Sequence, residues 1–576
     1  MRRATLHFTK TILTIVLICA LNNVESQIFT NPIGSLADPF ITYIDGYYYY
    51  TGTTGGDVSL KRAKTLEGLK QTNLQKIFGP GRPGAQQGNY WAPELFRLNG
   101  IWYIYYSASQ QGDDIKTMRT YVLENTTNDP MNPSNWNFKS KIYSSGVDYW
   151  AIDGTVLEVR GELYFLWSGV DSFSNFINVD KPQRNYISKM KNPWTLTGAR
   201  ILLTSPPGVF TGNNVNEAPE ILHKNGKIYM VYSSDFCGSP NYHLEMISID
   251  DTKNPLTASN WKSHGTVFSS NINNNSYGTG HHSFFKSPDG TEDWIAYHAT
   301  PKSTGDCSNT RTSRAKKISF NNEGVPQFGR PTAVGQPLKA PSGEPVLATG
   351  NITNGLYKIN QINTSKIVEV KDALYINPAN IIQGTDANKQ HQQWWIQSTA
   401  DGYYTIVSAL SGLSMGVGSC KKTTFASVNL RKPSGSNCQQ WKIEDLGSGH
   451  YKFTNKNSGL VMEVPSSGID RDGYNILQNS WSNSSSQKFN LQLIQKTLEI
   501  VNLKIKKNIL YPNPVKDKIY FSSTINLIGK HYRICNNLGQ FVSEGIIRDN
   551  YILTKKLNKG VYYILIDNVS YKLIKS

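Results

Sequence analysis

The sequence predicts an all-β chain assembled from two different repeats and a separate tail. Three observations carry this. Aromatic residues make up 11% of 576 residues, with 32 Tyr and 12 Trp, and aromatic side chains suit the pleated surface of strands. Two 18-residue stretches share one framework: YWAPELFRLNGIWYIYYS at 90–107 and NEAPEILHKNGKIYMVYS at 216–233, with Trp91 in one where Glu217 stands in the other. A different pattern, a Gly followed by an aromatic strand, returns every 47 residues from Gly355. At this length two to four domains are expected.

The first framework recurs five times. Its marker residues are Asp38 (ADPFITYIDGYYYYTG), Trp91, Asp153 (IDGTVLEVRGELYFLWSG), Glu217 and His281 (GHHSFFKSPDGTEDWIAYHA), spaced by 53, 62, 64 and 64 residues. Each unit reads as a hairpin with Gly in the turn, where a positive φ costs little. The remaining length admits further short strands, and units of four short strands are propeller blades. Residues 27–340 are therefore expected to form a five-bladed β-propeller. The first strand of a blade lines the axis, so the five marker residues are expected to converge there. Three converging carboxylates suit glycosidic hydrolysis, in which one carboxyl donates a proton to the leaving oxygen and another activates water. A third carboxylate nearby would raise the pKa of the acid by repulsion. Glu217 has the longer reach and is the candidate acid. Glu94 and Glu220 match each other within the framework and read as structural.

The ordered set ADPFI, YWAPEL, IDGTV, NEAPEI and a GHHS segment resembles glycoside hydrolase family 43, over about residues 30–335. That family consists of five-bladed propellers that hydrolyse with inversion, most often α-L-arabinofuranosides or β-D-xylosides. The resemblance implies Asp38 as general base, Glu217 as general acid and Asp153 as the residue that tunes pKa and orients. It places His281 near a bound cation, often calcium, with no cofactor required for the chemistry. Gly-Thr-Gly-His stands here where Gly-Pro-Gly-His is common, and His282 is a rival for the role. Trp91 and Trp150 are candidates for stacking on sugar, and Arg311 and Arg314 for holding a substrate hydroxyl or the carboxylates. Inversion implies carboxyls of Asp38 and Glu217 roughly 6.5–9.5 Å apart. DGYYYYTGTTGGDVSLKRAKTLEGL and NYWAPELFRLNGIWYIYYSA are similar to the α-L-arabinofuranosidases of the family, which implies plant arabinan or arabinoxylan as partner. A β-xylosidase, an endo-arabinanase or an exo-β-1,3-galactanase would share the three carboxylates. From a different class, an inactive polysaccharide-binding protein would have no need of all three.

Residues 335–350 are rich in Gly and Pro and read as a linker. Then GLYKI, GYYTI and GHYKF begin at Gly355, Gly402 and Gly449, and the units close with Gln392/Trp394, Gln439/Trp441 and Gln487/Phe489. Three such units over 350–495 predict a threefold β-trefoil, and they resemble the ricin-type lectin domain (carbohydrate-binding module family 13). The sugar-ligating Asp of that family corresponds to Glu369, Gly416 and Glu463, so sugar binding is expected at Glu369 and Glu463 rather than at the middle repeat. The role implied is to hold the catalytic domain on its polysaccharide.

The tail, 505–576, carries LYPNPVKDKIYF, NNLGQFV and LNKGVYYILI. It reads as a small β-sandwich and resembles the C-terminal sorting domain of the type IX secretion system, which is removed after export. Residues 1–26 have Arg2, Arg3 and Lys10 before an apolar run, the pattern of a secretory signal peptide. No later segment is long and apolar enough to suggest a membrane span. A secreted or cell-surface protein is expected, with the type IX machinery as its partner during export.

The formal net charge is +17, but its distribution argues against nucleic acid. Residues 496–576 hold 14 Lys and Arg against 5 Asp and Glu, residues 1–26 hold 3 against 1, and the long middle keeps only +6. No basic stripe tracks a phosphate backbone. Cys237, Cys307, Cys420 and Cys438 form an even set, so two disulfides are expected, with Cys420 and Cys438 favoured as a pair within one unit. Their spacing does not match zinc ligands.

Overall fold

The computed structural model describes residues 28–576 apart from 111, 113, 145, 147, 172–181, 207–214, 346–351, 363, 400, 497–509, 522–526, 537–540, 550, 556 and 567–568. The signal-peptide segment lies outside the described residues. The chain divides into two compact units, Gln27–Thr497 and one that holds the C-terminal strands.

Within the first unit, the framework repeat folds into five antiparallel sheets in chain order, four of four strands and a last one of three. Their first strands are Ala37–Ile44, Trp91–Leu98, Ala151–Val159, Asn216–Lys224 and Tyr277–Lys286. Each touches the next, and the fifth returns to the first, so the five close a ring. The closure is pinned from both chain directions: Ile28–Thr30 pairs with Pro337–Lys339, and Gly34 bridges Ser313. The cores between sheets are aromatic, with Tyr49, Tyr90, Trp102, Tyr106 and Trp136 buried between the first two. That accounts for much of the Tyr and Trp content without any role in binding.

Each first strand breaks register at the same place, between Ala37/Phe40, Trp91/Glu94, Ile152/Thr155, Glu217/Glu220 and Gly280/His282. A bulge re-aims side chains at a sheet rim. At each bulge one non-glycine residue takes a positive φ: Asp38 (54°), Ala92 (40°), Asp153 (54°), Ala218 (50°) and His281 (38°). These five are the true equivalents. The alignment that placed Trp91 and Glu217 level with Asp38 is therefore one residue off in the second and fourth blades. Trp91 and Glu217 stand just before the bulge, because the Ala-Pro-Glu that follows them supplies the bulge itself.

The register gives a second fivefold set on the neighbouring strands. Thr53, Ser107, Ser168, Ser233 and His298 lie opposite the residue that precedes each bulge residue. Four of the five bulge N–H groups donate to a member of this set on the preceding blade: Ala92 to Thr53, Asp153 to Ser107, His281 to Ser233, and Asp38 to His298. The fifth, on Ala218, donates instead to the Asp153 carboxylate. A strained backbone persists only where its surroundings hold it, and this ring of bonds does so.

Gly154 follows Asp153 at its bulge. A Cβ there would meet Phe165 Cζ at 2.2 Å and Thr120 Cγ2 at 2.9 Å. Gly154→Ala is expected to destabilise by about 1–3 kcal/mol, visible as a lower urea midpoint at unchanged slope.

Twelve strands between Gly355 and Lys496 form the trefoil. Trp394, Trp441 and Phe489 of the three closing motifs lie in one core, with Ile359, Ile406 and Phe453. Each Gln of these motifs is a structural clasp. Gln392, Gln439 and Gln487 donate Nε2 to the carbonyls of Thr385, Lys432 and Ser480, and accept at Oε1 from the N–H of Ala387, Ser434 and Ser482. Disulfides join Cys420 to Cys438 in the trefoil and Cys237 to Cys307 in the propeller. The second unit has one sheet of three strands and one of four, around Val515, Ile519, Phe521, Ile534, Ile564 and Leu573. Among the described residues no helix is long and apolar enough to cross a membrane.

Candidate active site

Four of the five marker residues meet as polar groups at the axis. One oxygen each of Asp153 and Glu217 and one nitrogen of His281 lie within 4.8 Å of one another. His281 Nδ1 is in turn 3.3 Å from Asp38 Oδ1. The bulges supply this convergence, since Asp38, Asp153 and His281 are themselves bulge residues and Glu217 adjoins one.

Asp38 is held by donors on every side. Thr53 Oγ1 donates to Oδ2 at 2.6 Å, and Arg311 Nη1 donates to Oδ1 at 3.0 Å. Burial alone would raise this carboxyl, but His281, Arg311 and His298 outweigh it and hold it well below the usual carboxylate range. Burial pushes His281 down, and burial with Arg311 pushes His298 to about 3, so Arg311 is the standing cation at neutral pH. His298 Nδ1 lies 3.2 Å from the Asp38 amide nitrogen and 3.1 Å from Oδ1. In the other blades the group at this register position accepts a bulge N–H wherever that bond is made. Nδ1 thus reaches both the Asp38 N–H and the Asp38 carboxylate, and the ring tautomer decides which of the two it bonds.

Glu217 sits in the opposite electrostatic condition. Burial pushes its carboxyl up to about 6, Asp38 adds repulsion, and hydrogen bonds from Tyr242 and Gln183 pull the other way. Tyr242 donates to Oε1 at 2.7 Å and Gln183 Nε2 to Oε2 at 3.0 Å. Tyr242 also stacks on His298 with ring centroids 5.6 Å apart, so one ring touches the supports of both carboxyls. Asp153 is buried, and burial, then Glu217, Asp38 and Glu94, hold its carboxyl well above the usual range. Its bond to the Ala218 N–H at 3.2 Å fixes the backbone beside Glu217. Beneath lie Glu94 and Glu220, both buried. Burial raises both, Glu220 to about 8, and mutual repulsion raises Glu94 further. Glu94 also adds to the upward push on Asp153.

A site with one carboxyl ionised and its partner protonated in mildly acidic water can run general acid–base chemistry. Removing the Tyr242 donor should lift the Glu217 carboxyl. Tyr242→Phe is expected to move the basic limb of the kcat/KM profile to higher pH by on the order of one unit, measured on any substrate the chain cleaves.

The other sequence candidates are placed unevenly. Trp91 is half-buried and packs with Trp150, which is buried at 3% exposure with its indole N–H on the Ile115 carbonyl. Arg311 reaches Asp38, whereas Arg314 is 1% exposed with Nη1 on Ser276 Oγ and makes no hydrogen bond to the carboxylates among the described residues. His282 is buried against Phe284, with neither ring nitrogen hydrogen-bonded to the described residues, so His281 and not its rival joins the axis. Calcium takes six to eight oxygens, and the axial trio of Asp153, Glu217 and His281 offers two oxygens and a nitrogen within 4.8 Å of one another, so solvent or substrate would have to supply most of its shell. In the trefoil, Glu369 and Glu463 each accept from the local Gln at 2.6 Å. Sequence reasoning missed His298, Tyr242, Gln183 and Thr53. The signal for His298 was present: the aromatic-Ser ending of the second, third and fourth blades reads Tyr297-His298 in the fifth.

Comparison with known proteins shows what the chain is similar to. The model of the ricin-type beta-trefoil lectin domain-like family matches residues 346–431 and 437–510. The secretion system C-terminal sorting domain matches residues 509–576 and marks the chain for export by the type IX route. An extracellular exo-alpha-(1->5)-L-arabinofuranosidase of Streptomyces avermitilis is 34% identical over 54% of this chain, which spans 65% of that relative, just under two thirds. One of the same name from Streptomyces chartreusis is 34% identical over 47% of this chain and 82% of its own. A crystal structure of alpha-L-arabinofuranosidase from Lactobacillus brevis is 30% identical over 53% of this chain and 98% of its own, with a TM-score of 0.48. The model of glycosyl hydrolases family 43 matches residues 29–326, just over half of the chain, and the chain belongs to that family, a glycosidase acting on O-glycosyl bonds.

Proposed function

We propose that the chain is a secreted, inverting α-L-arabinofuranosidase that releases arabinose from plant arabinan or arabinoxylan. The observation that carries this reading is the convergence of Asp38, Asp153 and Glu217 at the axis, with Arg311 on the Asp38 carboxylate, which holds it low, and burial around Glu217, which pushes it up to about 6. In the proposed mechanism Asp38 takes a proton from a water molecule, whose oxygen attacks the anomeric carbon. Glu217 gives its proton to the leaving oxygen on the opposite face, and the configuration inverts in one displacement. Asp153 acts by fixing the Glu217 backbone through the Ala218 N–H, and by keeping a second buried carboxyl beside the acid. Trp91 offers a half-buried aromatic face to the sugar, backed by Trp150. Arabinose specificity rests on the names of the relatives rather than on pocket shape. The steps need no cofactor, and none passes through a cation.

Export would remove residues 1–26 and the sorting domain. The trefoil would bind polysaccharide at Glu369 and Glu463, raising the local concentration of substrate at the propeller. The test is the product profile of the purified chain on linear 1,5-arabinan, arabinoxylan and 1,3-galactan, with Glu217→Gln as control. Arabinose alone, lost in the variant, is the expected result. Xylose, galactose or oligosaccharides would overturn the substrate and keep the carboxylate roles. Binding without turnover would overturn the enzyme reading.

A further inference from the structure

The middle trefoil repeat departs from its two sisters at two points of one would-be pocket. The first is Gly416, where the others carry Glu369 and Glu463. A Cβ at Gly416 would already stand 2.9 Å from both the Cys438 carbonyl and Gln439 Cγ. The second is Lys432. The Gln clasp makes it the equivalent of Thr385 and Ser480, since the three carbonyls accept the same bond from Gln439, Gln392 and Gln487. Short hydroxyl side chains at two repeats and a long cation at the third call for an explanation.

Lys432 leaves the trefoil and enters the propeller. Its Nζ donates to the Arg311 carbonyl at 2.8 Å and to the Ser35 carbonyl at 3.2 Å. These two carbonyls belong to the two segments that hold Asp38: Ser35 lies three residues before it, and Arg311 grips its Oδ1. The far side of the Arg311 guanidinium is held by the Cys307 carbonyl, next to the bridge to Cys237. The same repeat supplies the neighbouring contacts between trefoil and propeller. A Cβ at Gly435 would lie 2.2 Å from the Thr72 carbonyl oxygen, and one at Gly412 would lie 2.4 Å from Pro32 Cδ. Gln440 Nε2 donates to the Gln71 carbonyl at 3.3 Å.

We infer that the middle repeat is a docking clamp rather than a sugar pocket, and that Lys432 is a positioning residue for hydrolysis, fixing the Arg311 main chain so that its guanidinium stays on Asp38. The inference rests on the proposed role of Asp38 as the residue that activates water. Its reach is through the main chain, chiefly the nearer Arg311 carbonyl and secondarily that of Ser35, since Lys432 touches no reacting atom. The groups that face Asp38 are Arg311, His281, His298 and Thr53, with Glu217 and Asp153 across the axis. Those that face Lys432 are Arg311 and Asp306, and with burial the Lys432 ammonium titrates at about 8, so it is charged over the acidic working range.

The sign of the effect follows. If the Arg311 main chain is freed, the guanidinium spends less time on Asp38, and the carboxyl rises toward or past its ordinary value. The base is then protonated at a pH where the wild type is ionised, and the acidic limb of kcat/KM moves to higher pH. The experiment uses the full chain with Lys432→Met, which keeps the apolar stem and removes the donors, beside Lys432→Arg and Arg311→Lys. Lys432→Met is expected to lower kcat/KM by about tenfold at the wild-type optimum, within the range a small misplacement costs, and to raise the acidic limb. Lys432→Arg should restore most of the limb position. Added to Arg311→Lys, Lys432→Met should do little more, because both act on one contact. An acidic limb unmoved by Lys432→Met, whether or not the protein melts earlier, would overturn the inference and leave Lys432 a structural tie. Where Lys432→Met does not fold, Lys432→Gln is read in the same way. An inactive wild-type chain would instead overturn the glycosidase reading on which the inference stands.

Discussion

Glu217→Gln is expected to lower kcat/KM on arabinan by a factor of roughly 10²–10⁴, the usual range for loss of a general acid. The substitution is nearly isosteric. The new amide can turn its carbonyl to the Gln183 donor and its NH₂ toward the Tyr242 oxygen, so both partners of the native carboxyl keep a bond. Burial that raises the carboxyl then has nothing to act on. The loss should depend on the leaving group. A polysaccharide hydroxyl leaves poorly and needs the proton, whereas 4-nitrophenolate leaves unaided, so the aryl arabinofuranoside should lose far less. A loss of equal size on both substrates would show that Glu217 does not protonate the leaving oxygen.

Asp38→Asn should behave differently. Activated water is needed whatever departs, so this variant is expected to lose about 10²–10⁴-fold on the polysaccharide and on the aryl glycoside alike. Its fold should hold, since the Asp38 N–H to His298 bond and the bulge belong to the backbone. The variant should also leave Arg311 without its anionic partner. Comparing leaving-group dependence at the two positions therefore assigns acid and base from kinetics alone, and equal dependence would contradict the proposed roles.

The same electrostatics set the pH profile. Asp38 works ionised, so activity falls as pH drops through a pKa lying below the usual carboxylate range. Glu217 works protonated, so activity falls as pH rises through about 6. A mildly acidic optimum between those limbs is expected in kcat/KM. Bell-shaped profiles report the pair rather than either residue in isolation, which is why the Tyr242→Phe shift is the useful check on assignment.

The repeats were legible because blade and trefoil units each write their hydrophobic strands and Gly turns again and again. The axial chemistry was legible because function shows as the departure from a repeated frame: Asp38, Asp153, Glu217 and His281 stand where the copies differ. The one-residue misalignment of Trp91 and Glu217 arose because a bulge inserts a residue that period-two reading does not see. Side chains that arrive from second strands and loops were harder. Gln183 and Tyr242 have no repeat signal, and their aim depends on how a distant segment folds over the axis. His298 had a signal in its Tyr-His ending, and only the register shows what that ending does. Lys432 carries no signal in the sequence, because its partners lie in the propeller, on the other side of a linker.

The most direct test of the central claim follows the anomer of the first-formed sugar by ¹H NMR during hydrolysis of an α-L-arabinofuranoside. Single displacement by water on Asp38, with Glu217 as acid, predicts that β-L-arabinofuranose appears first and α follows only by mutarotation. Initial release of the α-anomer would mean net retention through a covalent intermediate, and would contradict the roles assigned to Asp38 and Glu217.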